Sequence, residues 1–122
     1  MLWKRKGAFD DELSQLAAAD TLAFGGVGFA GTLTPATKAY FAVGEGLHRH
    51  GAELRPKLEA LLDHATPAGR VYAAELLTRI DPAAGRAAWQ RLAGQDAAVS
   101  TFTGCMMGST TLAQYAQDRL NS

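Results

Sequence analysis

Through most of this chain apolar residues recur every three or four positions, the spacing of helices that bury one face. Leu13, Leu16 and Ala17 begin the pattern within residues 10–20, and Ala36, Tyr40, Val43 and Leu47 resume it after Pro35. Leu54, Leu58, Leu61, Leu62 and Ala65 carry it over residues 52–65, then Tyr72, Ala73, Leu76, Leu77 and Ile80, then Gly85, Ala88, Trp89 and Leu92. Leu112, Tyr115, Ala116 and Leu120 form a last stripe. Two stretches break the rhythm. Residues 24–33 (FGGVGFAGTL) hold four glycines and read as an irregular loop; residues 97–109 (AAVSTFTGCMMGS) mix small and β-branched residues and read as one short extended segment or an ordered loop.

The helix starts are written plainly. Thr34-Pro35, Thr66-Pro67 and Asp81-Pro82 each place a capping side chain before a proline, at the first helical position, where no backbone N–H is needed. Thr110 or Thr111 caps the last helix, and Asp10, Asp11 and Glu12 suit the dipole of the first turn of the first. Gly44 and Gly46 interrupt the second helix, so either it ends early or a neighbour needs a close approach there. Pro56 sits badly in a helix interior and limits how early a third helix begins, near Ala52. Glu75 and Arg79 are spaced as an outward-facing i,i+4 ion pair. The pattern therefore predicts an all-α chain of five to six helices, with a glycine-rich loop and one short extended segment.

An offset of 32 residues lays TPATKAYFA on TPAGRVYAA with five identities in nine, Tyr40 matching Tyr72 and Lys38 matching Arg70. Two helix pairs over residues 34–94 are the expected unit, the second being the hairpin at residues 66–96. With the DPAAGR start and the leucine stripes, these residues resemble the bacterial HEAT-like repeat proteins, short α-solenoids of antiparallel helix pairs. The resemblance implies a stacked architecture and a protein-binding scaffold without catalytic residues. A compact bundle is the rival arrangement.

Length and composition narrow the reading further. A chain of 122 residues reads as one helical domain, with residues 1–9 as an N-terminal arm anchored by Trp3 and Phe9 and residues 110–122 as the C-terminal helix. Twelve basic and twelve acidic residues cancel, which removes the electrostatic footprint of a nucleic-acid binder. Cys105 is the single cysteine, the basic start runs into GAFDDELSQ rather than an apolar core, and no apolar run approaches the roughly 18 residues of a membrane span. A cytoplasmic chain without a membrane association is expected.

Candidate chemistry is sparse. Residues 26–31 spell G-x-G-x-x-G, but neither a preceding strand nor a helix at the last glycine accompanies it, as dinucleotide binding requires. Glu45 and His48 share a helical face, while His50 and His64 lie off it, so no metal set is expected. Cys105 has no local base signature and reads as a buried thiol; Met106 and Met107 read as core fillers that, if exposed, would make an adaptable contact patch. No catalytic residue, metal or cofactor is assigned. The leading expectation is a non-enzymatic protein-interaction module, of the kind that serves as an immunity protein neutralising a toxin or as an adaptor. Its partner-binding residues are taken as Gly28, Phe29, Arg70, Phe102, Met106 and Met107. The alternative is a small ligand-binding or enzymatic domain using the glycine-rich loop and Cys105, and self-association into a homo-oligomer is a third arrangement.

Overall fold

A computed structural model describes residues 9–25, 33–103 and 106–121, and these form five helices and three short strands. In order these are α1 (Asp10–Ala17), β1 (Thr21–Leu22), α2 (Pro35–His64), α3 (Pro67–Ile80), α4 (Pro82–Leu92), β2 (Ala98–Thr103), β3 (Met106–Thr111) and α5 (Leu112–Leu120). Every expected cap is formed. The side-chain oxygens of Thr34, Thr66 and Thr111 accept from the backbone N–H three residues on, and Asp81 accepts from Ala83. Asp81 also closes α3, so the α3–α4 hairpin turns on that one residue.

Helix α3 is the centre. Val71, Tyr72, Ala73, Ala74, Leu76 and Leu77 have almost no solvent exposure, because α2, α4, α1 and the sheet pack around it. Its near-continuous apolar surface follows from that position, since a helix covered on several sides keeps no broad polar face. Gly85 sets the closeness of the α3–α4 crossing: a Cβ there would lie 2.5 Å from the Thr78 Cα.

Two expectations need correction. The second and third helices are one bent helix, not an antiparallel pair. Only His50 leaves helical geometry, at φ −121° and ψ 15°, and a single residue there bends the chain without reversing it. The bend falls just before Gly51 and six residues before Pro56, so the helix survives its proline by changing direction upstream of it. The glycines that suggested an early end are filled by side chains: the Phe9 ring occupies the space a Cβ would need at Gly46, and the Arg79 guanidinium does so at Gly44. The chain is also mostly helical rather than all-α. Residues 98–111 form an antiparallel hairpin in which Thr103 pairs with Met106 and Ala98 with Thr111, and β1 joins it in parallel through Thr21–Ser100 and Leu22–Thr101. The sheet order is β1-β2-β3.

A buried hydrogen-bond node ties this sheet to the helices. The Tyr72 hydroxyl donates to the Ala23 carbonyl at 2.6 Å and accepts from the Ala23 N–H at 2.9 Å. Thr37 donates to the same carbonyl at 2.8 Å. Beside the node, Thr66 donates to the Ala19 carbonyl at 2.5 Å. Thr66, the cap of α3, thus holds the chain entering β1, and Thr37, in the first turn of α2, holds the chain leaving it. Tyr40 and Tyr72, matched by the repeat, meet at 5.4 Å between ring centroids, and Phe24 stands edge-on to both.

Candidate functional site

Of the six residues singled out from sequence, the four that are described do not gather on one face. Gly28, Phe29 and Cys105 lie outside the described residues, as does Trp3. Arg70 is an internal bracket: its guanidinium donates to Ala65 O at 2.9 Å, to Gln95 Oε1 at 2.5 Å and to Asp63 O at 3.3 Å, tying the end of α2 to the segment after α4. These donors are turned onto the chain itself. Phe102 is half-buried. Met106 and Met107, expected as core fillers, are 74% and 68% exposed and stand on opposite faces of the hairpin.

Why methionines lie outside follows from the register. Val99 is the side chain of β2 that reaches the core, and Val99 pairs with Thr110 at the end of the hairpin next to α5. Met106 and Met107 are paired with Thr103 and Phe102 at the other end, beyond the reach of the helices. Among the described residues strand β3 is a sheet edge, and neither β2 nor β3 carries a charge or a proline.

A second constellation was not visible in the sequence. On α3, Tyr72, Glu75 and Arg79 share one side at i, i+3 and i+7. Glu75 turns to α5, accepting from the Tyr115 hydroxyl at 3.2 Å and from Arg119 at 2.9 Å. The Arg119 guanidinium also lies 5.7 Å from the centre of the Trp89 ring. Arg79 turns to α2, reaching the Gly44 carbonyl at 3.5 Å and the Tyr40 hydroxyl. The expected Glu75–Arg79 pair is therefore not formed, because each residue is claimed by a different neighbouring helix. Glu75 is largely covered and Arg79 exposed.

The aromatic end of this constellation opens on a groove of about 380 Å³ lined by Leu22, Phe24, Thr101, Phe102 and Tyr115. Burial pushes the Tyr115 phenol well above its ordinary value, with the Glu75 carboxylate adding to the shift. Tyr40 is raised for the same first reason, while Arg79 and Arg119 pull it back. Both hydroxyls remain protonated donors at neutral pH.

The sign of the pH dependence follows. An unfolded tyrosine releases its proton near pH 10, whereas folded Tyr115 retains it to higher pH. Its contribution to stability is complete below about pH 10 and is lost as the pH rises beyond that. Thermal unfolding followed from pH 9 upward is expected to show a falling Tm for the native chain and a flatter fall for Tyr115→Phe; equal slopes would count against the burial of this phenol.

Among the described residues no group of three or more His, Cys, Asp or Glu is placed to hold a metal ion. No described helix is long and apolar enough to cross a membrane. No protein-family model matches the chain, and no curated protein or solved structure is similar to it at a significant level.

Proposed function

We propose that this chain is a protein-interaction module whose contact surface is the open edge of the hairpin, strand β3 with Met106 and Met107. The observation that carries the reading is the pairing of two features in one place. An unpaired strand edge offers a row of main-chain donors and acceptors to an incoming extended segment. Flanking it are the two most exposed large apolar side chains among the described residues, both unbranched and able to adapt to a partner's shape. Natural edge strands that must stay single are blunted by charge or proline, and β3 has neither. Neutralising a toxin and bridging two proteins are the roles this reading assigns, with β-strand addition as the mode.

Met106→Lys with Met107→Lys tests it. Both side chains are exposed, so the double variant should keep the native Tm. Affinity capture from the native host, compared between native and variant chains, is expected to yield a partner held by the former and lost by the latter. Retention of the same partner by the double variant would overturn the assignment to β3. A concentration-dependent dimer in light scattering that the variant abolishes would place a second copy of the chain on the edge, and would overturn the reading of a different partner.

A further inference from the structure

Gly108, in the middle of β3, is a residue that nothing inside the described chain calls for. Glycine within a strand weakens it and marks a bulge, a sharp bend or the close approach of another group. The register is unbroken from Ala98–Thr111 to Thr103–Met106, so there is no bulge. The Gly108 backbone does not lie in the left-handed region, so its conformation is open to any residue. Beyond its chain neighbours, the Thr101 Oγ1 is the one atom of the described residues within 4 Å of where a Cβ would stand, at 2.8 Å, and a hydroxyl can turn aside. The space over Gly108 is otherwise open, and Gly108 itself is exposed.

The hydrogen bonds of the hairpin fix which groups face outward. The Leu112 N–H donates to the Ala97 carbonyl at 2.9 Å, and these two residues continue the hairpin register as its next pair. Bonded and open pairs alternate along an antiparallel ladder. Val99–Thr110, Thr101–Gly108 and Thr103–Met106 are therefore bonded pairs, and Met107 and Ser109 turn their N–H and C=O groups away from β2. A segment adding antiparallel to β3 bonds to Met107 and Ser109. The residue it sets opposite Gly108 then occupies an open pair, where facing chains stand closest. Met106 and Thr110 flank that position on the same face, and the notch between them has the Thr101 hydroxyl at its floor.

We infer that the segment received by β3 is uncharged and sets an aromatic side chain over Gly108, against the Met106 thioether; this rests on β3 being the docking edge. A ring laid across the glycine covers backbone that no side chain of β3 shields, the pairing that stabilises glycines at sheet edges. Met106, 74% exposed and unbranched, can close on that ring with its sulfur at the ring edge. Charge complementarity sets the rest of the segment. Neither β2 nor β3 carries a charge, so a charged residue docked there would be partly desolvated with no counter-charge from either strand.

The test is a titration of the ¹⁵N-labelled chain with acetyl-Thr-Thr-Phe-Val-Thr-amide and with the same pentapeptide carrying alanine or lysine in the centre. With the phenylalanine peptide, saturable shifts are expected at the Met107 and Ser109 amides, with a Kd on the order of millimolar. The ring should also move the Met106 methyl resonance more than that of Met107, which lies on the other face. The alanine peptide should bind about tenfold more weakly, and the lysine peptide at least as weakly as that. Gly108→Val fills the notch with its own side chain and should bind the phenylalanine and alanine peptides within about twofold of each other. The spectrum of the free variant shows whether its hairpin is intact, and the peptide comparison on the native chain stands independently of it. Equal binding of the phenylalanine and alanine peptides at β3 would overturn the aromatic assignment and leave β3 as the docking edge. Shifts confined to residues away from β3 would overturn both. Non-saturating shifts with the phenylalanine peptide, or the same preference for it kept by folded Gly108→Val, would also overturn the inference.

Discussion

Replacing Tyr72 by alanine is expected to destabilise the chain by about 3–5 kcal/mol, the range for removing a large buried aromatic. Tyr72 is fully buried, touches the Tyr40 and Phe24 rings and holds both backbone groups of Ala23. The conservative change separates packing from hydrogen bonding. Tyr72→Phe keeps the ring but leaves the Ala23 N–H without its acceptor, while the Ala23 carbonyl retains Thr37; a loss of about 1–3 kcal/mol is expected. Strand β1 joins the sheet immediately before Ala23, so the loss should also reach the hairpin. Urea unfolding gives the stability, and amide exchange at Ser100 and Thr101, the partners of β1, reports whether the strand has come loose. Tyr72→Phe with native stability and native exchange would show that the node holds nothing.

Gly85→Val is expected to cost about 3 kcal/mol, the upper end of what overpacking produces. The first atom of the new side chain would fall 2.5 Å from the Thr78 Cα, and backbone cannot move aside as the end of a long side chain can. The two helices would have to separate across the hairpin that Asp81 closes. Ala88 and Trp89 on α4 are buried in the same core, and Trp89 packs against Tyr115 at 5.6 Å, so its fluorescence should report the opening. Gly44→Ala is the contrast, because there the obstacle is the Arg79 guanidinium, which can swing out; a cost below that of Gly85→Val is expected in the same urea experiment.

What could be read from the sequence was local. Thr34, Thr66, Asp81 and Thr111 signal helix starts because the cap and the following residues lie within one turn, and every one of those caps is formed. The tyrosines matched at an offset of 32 residues meet in the core, as positions sharing a buried stripe do. What stayed hidden depends on partners far along the chain. Gly44 and Gly46 look like breakers until Arg79 and Phe9 are known to fill the gaps beside them. Glu75 and Arg79 have ion-pair spacing, yet α5 and α2 draw them apart, and no periodicity within α3 encodes that. The hairpin was concealed by composition: AVSTFT and MMGSTT lack the alternation of a half-buried sheet, because Val99 alone of the β2 side chains is buried and β3 lies almost wholly in solvent. Strand β1, two residues long and paired in parallel across three intervening helices, left no signal at all.

The central claim, that the free edge of β3 is where a partner docks, is tested most directly by amide hydrogen exchange over residues 106–111 in the free chain and in its complex with the captured partner. Strand addition predicts that amides of β3 pointing away from β2 slow by about tenfold or more on binding, with the methyl resonances of Met106 and Met107 shifting alongside. Protection that appears elsewhere on the chain while β3 exchanges as it does alone would contradict the claim.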